Sequence, residues 1–270
     1  MNAIDTAGYM KSLQLSHPLR EPIVGEIIQS MQLPESGCGL DVGCGIGLNT
    51  IMLAQALGSE GRVVGLDNEE EFLMKARGMV DHSAVRERIR LERGEALNLP
   101  FPDQFFDWAC SIDCVGVLPL EPLLLLRELR RVVKPGGKVF IAVWSSQMLL
   151  PGFPLLEASL NASPAGIAPF AEGMPPENHT LRALGWFRQA GLSDHQARTF
   201  VRDIYPPLSN EIVAAMADLF TMRWGSNENK VSNADWLDYQ RLCQPDSPDF
   251  ILRNTDYYAF FTYSVFSGRV

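Results

Sequence analysis

Between residues 39 and 144, short apolar runs alternate with stretches whose apolar side chains recur at helical spacing. This is the pattern of a parallel sheet with helices on both faces. Strands are expected at residues 39–42, 62–66, 89–93, 106–111 and 138–143. One helix is expected at 50–57, stopped by Gly58, and another at 69–80, where Glu69, Glu70 and Glu71 complement the positive end of the helix dipole. A third, 123–133, opens behind Pro122 and ends at Lys134-Pro135-Gly136-Gly137, a sharp turn into the fifth strand.

Upstream, Ile23, Ile27, Ile28 and Met31 share a helical face, which puts a helix beside the first strand and leaves residues 9–20 free to fold over a ligand. Residues 145–178 are rich in Pro, Gly, Ala and Ser and read as a loop-dominated insertion. A helix at 180–190 and a strand at 196–204 come next. Two helical patterns then fill 205–256, one with Ile212, Met216, Leu219 and Phe220 on a common face, the other opening on the capping-box-like Ser232-Asn233-Ala234-Asp235. The run 257–268 has strong β propensity. The expected fold is α/β, a doubly wound, mostly parallel sheet of seven strands with a helical cap. It forms one domain over 1–270, with an N-terminal arm and helix (1–36), a core (37–145) and cap insertions (145–178 and 205–256).

With 270 residues, 46% of them hydrophobic, the chain can bury a full core. A net charge of −9 argues against an extended nucleic-acid-binding face. Five cysteines, odd in number and without C-x-x-C spacing, read as reduced core thiols, which points to a cytoplasmic protein without a metal site. No apolar run reaches the length of a membrane span, and the first residues lack the pattern of a signal peptide.

The candidate chemistry sits where the first strand ends, at Leu40-Asp41-Val42-Gly43-Cys44-Gly45-Ile46-Gly47. Glycines at alternate positions let backbone approach a ligand closely and permit positive φ. A dinucleotide site would want G-x-G-x-x-G, with a third glycine at position 48, where this chain has Leu. The second strand closes on Val64-Gly65-Leu66-Asp67, the third leads into Gly94-Glu95-Ala96-Leu97-Asn98-Leu99-Pro100-Phe101, and Phe106-Asp107 opens the fourth.

In order and spacing these motifs, followed by 126–137, resemble those of class I S-adenosylmethionine-dependent methyltransferases of the small-molecule type found in quinone and sterol biosynthesis. The resemblance covers roughly residues 37–145 by motif and implies a Rossmann-like sheet whose last strand is antiparallel. It also implies the cofactor contacts. Gly43, Gly45 and Gly47 would pass under the methionine part, Asp41 would help hold its ammonium, and Ser111 and Asp113 would face the same moiety. Asp67 would take both ribose hydroxyls, as an ionised carboxylate can. Asn68 would flank the adenine, with Glu95 near its amino group and Ala96 offering backbone donors; the family more commonly has Asp where this chain has Glu95. Asp67 or Asn68 could instead cap the following helix, and Asp107 reads as structural.

Methyl transfer from a sulfonium is an in-line displacement that needs no metal and no covalent enzyme intermediate. A phenolic acceptor would need at most one general base, for which His17 is the best placed of His17, His82, His179 and His195. His179 stands before a helix that Thr180 looks set to cap, and Tyr9 is a further candidate to line the site. Phe153, Phe170, Met174, Met216, Phe220, Met222 and Trp224 could line a cap around an apolar or aromatic acceptor, or simply pack against the sheet. Three other readings stay open: a nicotinamide-dependent oxidoreductase, a non-catalytic S-adenosylmethionine-binding module, and an RNA or protein methyltransferase, which the acidic balance weakly disfavours.

Overall fold

A computed structural model describes residues 6–114, 121–163 and 175–270. Helix α1 (Thr6–Met31) precedes strand β1 (Gly37–Val42), and α2 (Leu48–Ala56), β2 (Gly61–Asp67), α3 (Glu70–Asp81), β3 (Ile89–Arg93), β4 (Phe106–Ile112), α4 (Pro122–Val132) and β5 (Val133–Met148) alternate after it. The chain continues through α5 (Pro154–Asn161), α6 (Ala183–Gln189), β6 (Ser193–Ile204), α7 (Asn210–Trp224), α8 (Asn233–Cys243) and β7 (Ala259–Arg269). The seven strands form one sheet in the order β3-β2-β1-β4-β5-β7-β6. β1 pairs in parallel with β2 and β4, β2 with β3, and β4 with β5. Ser145 bonds Thr262 near one end of the β5–β7 pair, and Gly137 bonds Val270 at the other, so β7 runs antiparallel to β5. The strand order reverses between β1 and β4, the switch point where open α/β sheets bind ligands.

The chain divides into two compact units. One comprises residues 24–143, 173–200 and 263–270. Its core is built from Leu40, Val42, Leu66, Phe106, Ala109 and Ile141 of the strands and Leu125, Leu129, Trp186 and Phe187 of α4 and α6. The strands are apolar on consecutive positions because both faces are covered. Gly39 is required here, since a Cβ would fall 1.9 Å from the buried Trp108 ring.

The other unit comprises residues 1–23, 144–172 and 201–262. Met216, Phe220 and Trp224 of α7, with Tyr239 and Leu242 of α8, are buried in it. Trp224 Nε1 donates to Asn161 Oδ1 (2.9 Å) and Asn227 Nδ2 to Leu160 O (2.9 Å), tying α7 and the turn after it to α5. Trp144 and Phe261 stack with ring centroids 4.0 Å apart, and Arg223 lies over Trp144.

Several elements depart from the sequence reading. α1 runs unbroken from Thr6, with Pro18 and Pro22 inside it, so the segment 9–20 is helix and not a free arm. Each proline removes one backbone donor, and burial of Leu19, Ile23 and Val24 around them holds the helix together. The insertion at 145–178 contains the end of β5 and helix α5. The buried Glu157 carboxylate accepts the Leu149 and Leu150 N–H groups (2.8 and 2.9 Å), which fixes the turn ahead of α5. His179, not Thr180, caps the short 3-10 turn Thr180–Arg182, its Nδ1 accepting from Leu181 N (3.2 Å).

Candidate cofactor site

β1 ends in a loop whose three glycines are left-handed, with φ of 78° at Gly43, 53° at Gly45 and 82° at Gly47. Gly43 N and Cys44 N both donate to Leu66 O (2.8 and 3.0 Å), which moors the loop to the end of β2. Asp67, the next residue, accepts from Gly45 N through Oδ2 (2.8 Å) and from Glu69 N through Oδ1 (3.0 Å). Its own carbonyl accepts from Gly94 N (3.0 Å). One residue thus holds together the glycine loop, the start of α3 and the loop after β3. Because each carboxylate oxygen accepts two hydrogen bonds, these backbone contacts orient Asp67 without exhausting it.

Asp41 is 1% exposed. Its Oδ2 accepts from Thr50 Oγ1 of α2 (2.6 Å) and its Oδ1 lies 3.9 Å from the Cys110 thiol. Burial pushes its carboxyl up to about 6, with the Asp67 charge adding to the rise and the Thr50 and Cys110 contacts opposing it. Since the folded value lies above the ordinary 3.8, the folded chain holds the proton more firmly than the unfolded one. Stability of the cofactor-free protein should therefore fall as pH rises from about 4 to about 6, by on the order of 3 kcal/mol. Asp41→Asn should remove that part of the pH dependence, as read from denaturation midpoints of the two proteins across the window.

The loop after β3 is clamped from α4. Glu128 Oε2 accepts from Leu99 N (2.8 Å), while Arg131 donates to Leu99 O (2.9 Å), Phe101 O (2.8 Å), Glu128 and Asp103. Glu95 is exposed and Ala96 partly so; the Gly94–Asp67 bond brings both beside the glycine loop. Asn68 is exposed next to them, and its carbonyl accepts from Arg93 Nε (3.1 Å). Arg131→Ala strips charge-assisted bonds from two loop carbonyls and should cost about 2 kcal/mol in urea denaturation.

Ser111 is fully buried at the end of β4, beside the Cys114 thiol. Asp113 is partly exposed, with φ 56°, and its N–H donates to Ala142 O (2.9 Å). Tyr263 of β7, fully buried, donates its hydroxyl to Asp113 Oδ2 (2.5 Å). Cys114 packs against the glycine loop so closely that a Cβ on Gly43 would fall 2.7 Å from its Sγ. Burial pushes that thiol up to about 12, which makes it inert. Asp107, at the start of β4, accepts from Cys38 N (2.7 Å) and pairs with Lys134 (2.7 Å), a structural role.

The structure thus brings Asp41, Gly43, Gly45, Gly47, Asp67, Asn68, Glu95, Ala96, Ser111 and Asp113 together in one unit. Thr50, Arg131 and Tyr263 were not singled out by the sequence: their partners lie 9, about 30 and 150 residues away, with no spacing rule to announce them. Three of the histidines have local neighbours of their own. His82 Nδ1 lies 2.7 Å from Gly78 O, and His195 meets Leu192 O. His17, in the other unit, faces Glu21 across 3.9 Å, and burial lowers its pKa. Of the cap candidates, Met216, Phe220 and Trp224 are core, Met222 is exposed, and Phe170 and Met174 lie outside the described residues.

S-adenosylmethionine fits this donor set and a diphosphate does not. The loop's Gly45 N–H is already given to Asp67 and so is withdrawn from any pyrophosphate, while the Asp67 carboxylate keeps acceptor capacity for a ribose diol.

Residues 40–137 match the family model described as a methyltransferase domain. The chain is 38% identical over 127 residues to a demethylmenaquinone methyltransferase of Staphylococcus epidermidis, covering 47% of this chain and 51% of that protein. A Bacillus cereus protein of the same name is 38% identical over 128 residues, covering 47% and 53%. The chain therefore spans about half the length of these curated relatives. Among solved structures, a SAM-dependent methyltransferase from Aquifex aeolicus superposes with a TM-score of 0.55 at 19% identity, covering 99% of this chain and 100% of that one. A geranyl diphosphate methyltransferase in complex with SAM gives 0.54 at 14%, covering 100% and 93%. These two likenesses support the Rossmann-like fold. The motif loop, the Asp67 anchor and the match to the methyltransferase-domain model thus fall on one stretch of sheet, residues 40–137.

Proposed function

We propose that the protein methylates a small apolar or aromatic acceptor and releases S-adenosylhomocysteine. The observation that carries this is the left-handed glycine loop with Asp67 anchored across it. The named activity of the demethylmenaquinone methyltransferases, which are 38% identical to this chain over about half its length, favours a quinol-like ring as acceptor.

Bound S-adenosylmethionine supplies an electrophilic methyl group that an in-line nucleophile can take. The chain's own part is to hold and align. Asp67 takes the ribose hydroxyls, Glu95, Ala96 and Asn68 flank the adenine, and Asp41 with Gly43, Gly45 and Gly47 cradles the methionine end. Ser111, fully buried, adds a dry wall at the end of β4. No general base is needed for an acceptor that is already ionised.

The acidic balance favours a small molecule over nucleic acid as partner, and a cytoplasmic setting suits the five free thiols. No helix among the described residues is long and apolar enough to cross a membrane. Incubation with methyl-labelled S-adenosylmethionine and 1,4-dihydroxynaphthalene should move label into the organic phase; label that stays on the cofactor with every phenol and quinol offered would refute the acceptor class.

A further inference from the structure

We infer that Asp113 takes the proton from the acceptor and that Tyr263 is the positioning residue that aims it. This rests on the reading of the acceptor as an aromatic ring and adds that the ring carries an ionisable hydroxyl.

Asp113 holds a left-handed φ of 56° just past β4, its N–H pinned to Ala142 O (2.9 Å). Aspartate enters that region more readily than most residues, and the bond to Ala142 holds the backbone there. Its chain neighbour Cys114 packs on Gly43, which sets Asp113 beside the glycine loop. From 150 residues further on, the buried Tyr263 donates to Oδ2 (2.5 Å). That bond from a rigid, buried phenol fixes how the carboxylate is turned. A base fixed by a third group is the arrangement general-base catalysis requires. The neighbouring thiol of Cys114, pushed up to about 12 by burial, is no substitute.

In the proposed step the acceptor's O–H bond breaks, the proton passes to the Asp113 carboxylate, and the electron pair stays on the acceptor, in conjugation with its ring. That pair forms the bond to the methyl carbon while the pair of the broken carbon–sulfur bond stays on sulfur. Nothing is oxidised or reduced, and Asp113 returns the proton to water as product leaves.

The test compares wild type, Asp113→Asn and Tyr263→Phe, each saturated with S-adenosylhomocysteine and titrated with 1,4-dihydroxynaphthalene and with 1,4-dimethoxynaphthalene. Asparagine tolerates the left-handed region, so Asp113→Asn is compatible with the fold. Equal urea-denaturation midpoints of the three proteins check that the fold is intact. Asp113→Asn should bind the diol about tenfold more weakly and the dimethoxy compound as well as wild type does. With S-adenosylmethionine it should turn over the diol about 100-fold more slowly. Tyr263→Phe should lower kcat about tenfold and leave the acceptor KM within about twofold, the mark of a misaimed base and not of a lost pocket. Wild-type binding and turnover in Asp113→Asn would overturn the inference alone, and an unchanged kcat in Tyr263→Phe would overturn the positioning role. Failure of the wild type to bind or methylate the diol would overturn the acceptor class and this inference with it.

Discussion

Asp67→Ala is expected to weaken S-adenosylmethionine binding by about 1–3 kcal/mol, roughly 5- to 150-fold, because the carboxylate proposed to take charge-assisted hydrogen bonds from the ribose is removed. The same change also leaves Gly45 N and Glu69 N without their acceptor, so part of the loss comes from a loosened glycine loop. Asp67→Asn separates the two contributions. It keeps a carbonyl oxygen for one of the backbone donors but loses the charge, and its affinity should fall between those of wild type and Asp67→Ala. Titration calorimetry reads all three, and an affinity unchanged by Asp67→Ala would remove this residue from the site.

Gly43→Ala should cost about 3 kcal/mol of stability and cofactor affinity with it. Two penalties combine at this position. An L-residue at φ 78° carries roughly 1–2 kcal/mol of conformational strain, and the new methyl would fall 2.7 Å from Cys114 Sγ and 2.8 Å from its Cβ, an overpacking cost of about 1–3 kcal/mol. Gly136 provides the comparison. It has φ 83° but open space around a built Cβ, so Gly136→Ala should cost only the conformational part, about 1 kcal/mol. Urea denaturation of the pair isolates the clash with Cys114, and equal costs would mean that the β4 end is not packed on the glycine loop.

The parallel core was legible because its signals are local. Apolar runs alternating with helical spacing located β3 at its observed bounds and β1, β2 and β4 within two residues. The glycine loop and Asp67 announce themselves by spacing along one strand-turn-helix unit. Contacts that depend on distant chain were not legible. Tyr263 lies on the last strand, and only the antiparallel insertion of β7 beside β5 carries it to Asp113. Arg131 looked like any basic residue near a helix C-terminus until the fold set it against the loop after β3. The prolines of α1 and the small residues around α5 weigh against helix in local propensity, and packing of Leu19 and the buried Glu157 carboxylate overrode that weight.

The assignment of the cofactor is tested most directly by titration calorimetry of the protein with S-adenosylmethionine, S-adenosylhomocysteine and NADH side by side. Micromolar binding of both adenosyl ligands and none of NADH is the expected result, since Leu48 stands where a dinucleotide site needs its third glycine and the Gly45 N–H is already given to Asp67. Binding of NADH with no response to either adenosyl ligand would contradict the account.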